Sequence, residues 1–128
     1  LLLHKNRFKK MKNFPLYQYQ GLVTEVYDGD TCTVKFDLGF KIHFTEKVRL
    51  LGINAPEMRG TDKAKGTISR DKLREKILNK TIFIETQKDE KEKYGRYLGV
   101  IYIQNESGTF DSVNDWMIKE GLAEVANY

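Results

Sequence analysis

From Tyr19 to Val26 apolar, β-favouring residues alternate with polar ones, and after an Asp28-Gly29 step the same alternation runs from Thr31 to Leu38. A period of two sends successive side chains to opposite faces of an extended chain, so each run must bury one face. Asp-Gly suits the turn between them because both residues tolerate positive φ. The pattern predicts a β-hairpin. Leu38-Gly39 offers a second turn, and Phe40-Lys41-Ile42-His43-Phe44 carries the alternation on toward Val48-Arg49-Leu50. Three antiparallel strands in a meander follow, with a bulge expected at Thr45-Glu46-Lys47.

Beyond Pro56 the chain is polar and glycine-bearing up to about Gly66, a loop signature. Ile68, Leu73, Ile77 and Leu78 then recur at roughly helical spacing among charged residues, with Asn79 near the end of the helix. Thr81 to Thr86 alternates as a short strand, Lys88 to Lys93 reads as a mobile charged loop, and Tyr97 to Ile103 is an apolar strand. Asn105 to Gly108 turns the chain. Asp111 or Ser112 can cap a last helix whose Val113, Trp116 and Met117 share a face and whose end is Gly121. Five strands and two helices make a mainly β, α+β protein. A small Greek-key barrel of the oligonucleotide-binding (OB) type is expected, with an open α+β sheet as the other arrangement of the same elements.

A chain of 128 residues suits one domain with a single core, and 40% apolar against 31% charged residues puts it among folded proteins. The net charge of +4 invites a polyanionic partner, but its location matters. Residues 1–20 carry Lys5, Arg7, Lys9, Lys10 and Lys12 and no acid, leaving 17 basic against 18 acidic side chains in the other 108. Any basic site in the body must therefore be local. Met11 reads like an initiator, and residues 1–17 are expected to be a mobile basic extension preceding a domain over 18–128. The single cysteine, Cys32, excludes an internal disulfide and suits a small core position. No apolar run approaches the ~20 residues of a membrane span, and Leu1-Leu2-Leu3 is too short for a secretory segment. Without a visible export signal the cytoplasm is the default compartment, secretion staying open if a signal has been removed. A monomer is expected.

The chemistry gathers around Arg49-Leu50-Leu51-Gly52-Ile53-Asn54-Ala55-Pro56-Glu57. Arginine offers a planar fork to a phosphate, Asn54 a hard oxygen to a cation, and Glu57 a base for water, held in place by the proline before it. In Tyr27-Asp28-Gly29-Asp30-Thr31, Asp30 starts a strand with a carboxylate that suits calcium. In Tyr94-Gly95-Arg96, glycine can aim Arg96 toward the pocket of Arg49 so that two arginines clamp one phosphate. Singly, each has an ordinary reading as a turn, a surface glutamate or a solvated strand start. His4 and His43 have no second histidine or cysteine at ligand spacing and read as structural or exposed.

Taken in order, Asp28-Gly29-Asp30-Thr31, Arg49 to Glu57, Lys93-Tyr94-Gly95-Arg96, Val113-Asn114 and Gly121-Leu122-Ala123 resemble the staphylococcal nuclease (thermonuclease) family over roughly Gln18 to Tyr128. The resemblance implies a five-stranded OB barrel with helices and a calcium-dependent phosphodiesterase acting on DNA and RNA. Its metal-ligand aspartate falls on Asp30, with Asp28 one layer behind, and its second ligand falls on Asn54, where the family's best-known member has aspartate. The main-chain carbonyl of Ala55 would also bind calcium. The phosphate-binding arginines fall on Arg49 and Arg96, the general base on Glu57, and nucleotide-pocket residues on Lys93 and Tyr94. A pocket tyrosine is Asn127 here, and the family's third helix, which is C-terminal, is expected to be absent from a chain ending at Tyr128. The competing expectations are a non-catalytic OB module that binds nucleic acid and a protein-binding module that recognises a modified residue.

Overall fold

A computed structural model describes residues 16–127, and the expectation for a mobile extension over 1–17 therefore lies outside the described residues apart from Leu16 and Tyr17. The carbonyl of Tyr17 already accepts from the Thr86 N–H at 2.8 Å. The strands β1 (Gln18–Asp28), β2 (Thr31–Asp37) and β3 (His43–Leu50) form the expected meander, and a short β4 (Ile53–Asn54) follows. A 3-10 turn (Gly60–Asp62) leads into α1 (Lys63–Ile77). Next come β5 (Thr81–Lys91), β6 (Tyr97–Gln104), β7 (Phe110–Ser112), α2 (Val113–Lys119) and β8 (Glu124–Val125).

Five of these strands close into a barrel in the order β3-β2-β1-β5-β6. All neighbours are antiparallel except at the seam, where β3 meets β6 in parallel through Val48↔Tyr97, Arg49↔Leu98 and Leu50↔Gly99. This is the OB-type barrel with two helices. Val23, Val34, Val48, Leu50, Ile82 and Ile101 point inward with no exposed surface, and Leu73 and Ile77 of α1 and Met117 of α2 cap the core. Each such Leu or Ile contributes about 1.5–3 kcal/mol by leaving water. Cys32 is buried among them, and burial pushes its thiol up to about 12, which leaves it a core residue. No helix among the described residues is long and apolar enough to cross a membrane.

The structure departs from expectation where neighbours outweigh local pattern. The β2–β3 register runs unbroken from Thr31↔Arg49 to Asp37↔His43, so Thr45-Glu46-Lys47 contains no bulge. The shifts fall instead in β1, between Val23 and Glu25 and between Val26 and Asp28, and in β5–β6. Lys88 to Lys91 belong to β5 rather than to a loop, and Lys91 pairs with Tyr97 of β6 after a register shift beyond Thr86. Ile68 is exposed, and α1 buries Gly66, Ser69, Leu73 and Ile77. Ser112 caps α2 as anticipated, accepting from Asp115 N–H at 3.1 Å.

Candidate active site

At the barrel end where β1 turns into β2, the Asp28 carboxylate accepts from the Asp30 N–H at 3.0 Å and closes a tight turn. Gly29 is needed there for space rather than for a positive φ. A Cβ on it would lie 2.6 Å from Ala55 Cβ and 2.8 Å from Ser69 Cβ, so the turn, the exit of β4 and α1 meet across a glycine. The turn drives Asp30 inward until it is 7% exposed.

Arg49, at the matching end of β3, is buried beside it, and its Nη1 lies 3.2 Å from Asp30 Oδ2. Nη1 also reaches the Leu50 carbonyl at 3.3 Å, and Nη2 donates to Asn54 Oδ1 at 3.2 Å. Asn54 is presented by β4, which pairs with β8 through Ile53↔Val125 and Asn54↔Glu124. The next amide, Ala55 N–H, donates to Asp30 Oδ2 at 2.8 Å. Asp28, Asp30, Arg49, Asn54 and Ala55 thus form one connected corner. Burial, with the hydrogen bond and charge of Asp28 behind it, holds the Asp30 carboxyl above the ordinary aspartate range, while the Ala55 amide and Arg49 pull it back down. A buried carboxylate beside a second one favours a neighbouring cation.

Arg96 enters from the β5–β6 turn. Its Nη1 approaches Thr31 Oγ1 at 3.4 Å, and Thr31 in turn donates to Asp30 Oδ1 at 3.0 Å, which links the second arginine to the corner. Gly95, at φ +80, lets the chain double back just before Arg96. Exposed Tyr94 lies beside it, with Lys93 Nζ 5.1 Å and the Arg96 guanidinium 5.4 Å from its ring centre.

Glu57 stands apart from these contacts. Its side chain is 68% exposed and pairs with Arg59 Nε at 3.2 Å. Its backbone is fixed by α1, because a Cβ on Gly66 would lie 2.2 Å from the Glu57 carbonyl oxygen. His43 is exposed on β3, as expected.

Five site-forming residues were not legible as such. Thr31 bridges Asp30 and Arg96. Glu92 grips Arg96 Nε at 3.0 Å and Nη2 at 3.3 Å, a pairing that its four-residue spacing could have suggested. Gly66 and Ser69 give α1 a small face toward the corner, which carries no apolar periodicity to read. Asn114, 3% exposed, donates to the Leu51 and Gly99 carbonyls at 2.9 and 3.1 Å and accepts from Ile101 N–H at 3.1 Å. It ties the start of the 51–57 stretch to β6.

The donors fit a hard cation. Two carboxylates, an amide oxygen and a main-chain carbonyl are the oxygen types that calcium takes. Among the described residues no three Asp, Glu, His or Cys side chains form a metal cluster, so such a site depends on the amide and the backbone.

The family model described as staphylococcal nuclease homologue matches residues 47–128. A micrococcal nuclease of Shigella flexneri is 33% identical over 116 residues, covering 86% of this chain and 60% of the relative. A thermonuclease of Staphylococcus intermedius is 29% identical over 110 residues, covering 84% and 60%. An uncharacterised protein of Methanocaldococcus jannaschii is 31% identical over 128 residues, covering 84% and 59%. The chain thus spans about three fifths of the length of the curated relatives it matches. The matched segment includes both arginines, Asn54, Ala55 and Glu57, and a family model covering well over half of the sequence shows that this chain belongs to the staphylococcal nuclease homologue family.

Proposed function

We propose that this chain hydrolyses phosphodiester bonds in DNA, RNA or both, with calcium as cofactor. The observation that carries this reading is the barrel corner in which Asp30, Arg49, Asn54 and Ala55 are joined by contacts of 2.8 to 3.2 Å while Arg96 reaches in through Thr31. Membership of a nuclease-type family supports the reaction class.

Arg49, from β3, and Arg96, from the β5–β6 turn, donate to the phosphoryl oxygens and stabilise the negative charge that grows there, and removing one such donor costs ~10²–10³ in rate. Glu57, whose exposed side chain pairs with Arg59 in this structure, takes the proton of a water attacking in line. Asp30, Asn54 and the Ala55 carbonyl, with Asp28 behind them, would hold calcium, which would neutralise phosphate charge when bound. Asn54 keeps a hard oxygen but brings one negative charge fewer than a carboxylate, so calcium should bind more weakly than at a site with aspartate there. Lys93 and exposed Tyr94 flank the substrate, the ring offering a face on which a base can stack.

A second reading, a nucleic-acid-binding module without catalysis, is favoured by one observation: Glu57 is paired with Arg59 outside the connected corner. One experiment separates the two. Single- and double-stranded DNA and RNA are incubated with the protein in calcium and then in chelator, beside Arg49→Lys and Glu57→Gln. Calcium-dependent cleavage that both variants lose is the expected outcome. Binding without cleavage would establish the module, and cleavage unchanged in both variants would overturn the residue roles.

A further inference from the structure

We infer that Glu92 is a positioning residue that locks the Arg96 guanidinium by one edge and turns its opposite edge toward the Asp30–Arg49 corner. The inference rests on Arg96 as a phosphate-binding group and adds the device that aims it.

The turn between β5 and β6 is closed by its own backbone, since Gly95 N–H donates to the Glu92 carbonyl at 2.9 Å and Glu92 N–H donates to the Arg96 carbonyl at 2.7 Å. Inside this turn Glu92 Oε1 accepts from Tyr94 N–H at 3.0 Å, Arg96 N–H at 2.9 Å and Arg96 Nε at 3.0 Å. Its second oxygen, Oε2, takes Arg96 Nη2 at 3.3 Å. The two oxygens therefore engage the Nε–Nη2 edge of the guanidinium as a fork. A guanidinium has five N–H donors, and this fork leaves both hydrogens of Nη1 and one of Nη2. Nη1 is the atom that approaches Thr31 Oγ1, beside Asp30. The edge left over is thus the one that faces the corner. Bonded to four N–H groups and the Arg96 charge, the carboxylate is held down to about 2, so the lock stays closed at any ordinary working pH.

A role confined to the turn would need only Oε1. Glutamine keeps that oxygen for all three of its donors but replaces Oε2 with an amino group facing Nη2, so Glu92→Gln opens the fork and spares the turn. Glu92→Asp keeps the charge on a shorter arm. It also removes no negative charge, whereas the glutamine variant makes the corner less repulsive to a polyanion.

The test compares wild type, Glu92→Gln and Glu92→Asp in steady-state cleavage of DNA with calcium and in 15N–1H spectra of the Arg96 Nε–Hε group. The expected result is a slowly exchanging Nε–Hε signal in wild type that shifts and exchanges fast in Glu92→Gln. With it, kcat falls at least ~10-fold while KM is unchanged or lower, as loss of aim without loss of ground-state binding requires. Glu92→Asp should recover part of both. An Nε–Hε signal unaltered in Glu92→Gln would overturn the inference, as would kcat and KM equal to those of an active wild type. Were wild type to cleave nothing, the nuclease reading would fall, and the lock would still be upheld or refuted by the Nε–Hε signal.

Discussion

Replacing Gly66 by alanine sets two effects of known sign against each other. Alanine in a helix interior is favoured over glycine by about 0.5–1 kcal/mol, so α1 on its own gains. The new Cβ, however, would lie 2.2 Å from the Glu57 carbonyl oxygen, 2.7 Å from the carbon behind it and 3.0 Å from the Pro56 carbonyl oxygen. A comfortable contact needs roughly 3.4 Å or more, so helix and backbone must separate by about 1 Å, and overpacking of that kind costs typically ~1–3 kcal/mol. The obstacle is backbone, which cannot swing aside like a side chain. The net expectation is a loss of about 1–2 kcal/mol in denaturant unfolding. Because the displaced group carries Glu57, cleavage should fall further than stability does, since a misplacement of about 1 Å at a reacting centre can cost ~10²-fold. A Gly66→Ala protein more stable than wild type, with cleavage intact, would refute the packing of α1 on the Pro56-Glu57 backbone.

Asn54→Asp should lower the calcium concentration for half-maximal cleavage about tenfold by adding a charge to the ligand set, and a calcium titration checks it. A wild type already saturated at micromolar calcium would contradict the weakness assigned to Asn54. Arg49→Ala should cost about 3–5 kcal/mol in denaturant unfolding, because it strands the buried Asp30 carboxylate, and Asp30→Asn in the same chain should restore much of it. The Glu92–Arg96 fork should make stability fall in acid. Glu92 sits at about 2 in the folded chain against an ordinary 4.5, so its contribution is full above 4.5 and is lost as pH falls through about 2. Thermal unfolding of wild type and Glu92→Gln should therefore converge over that window, and a constant difference would refute the assignment.

The barrel was legible because alternation is a local property that burial enforces on every strand. Tyr19 to Val26 and Thr31 to Leu38 pair as their pattern requires. The order of Asp30, Arg49, Asn54 and Arg96 along the chain was legible too, and the fold brings them to one end. What stayed hidden depends on space or partnership. Gly29 looked like a turn residue chosen for φ, whereas its missing side chain is what admits Ala55 and Ser69. Lys88 to Lys91 looked like loop because nothing in their composition reveals that Lys91 pairs with Tyr97 of β6. Glu57 could be named as a candidate base, but its pairing with Arg59 follows from the path of the chain after Pro56, which no periodicity encodes.

The parallel seam between β3 and β6 also carries an expectation for the order of events during folding. Arg49 lies in that seam and Arg96 immediately precedes it, so the two arginines come together only when Val48 meets Tyr97. Hairpins such as β1–β2 close over short loops, whereas this contact joins segments separated by α1 and β5 and carries a larger loop-closure cost. Phosphate-binding competence should thus be among the last properties to return on refolding. A chain arrested with its meander formed would hold only one arginine of the proposed phosphate clamp.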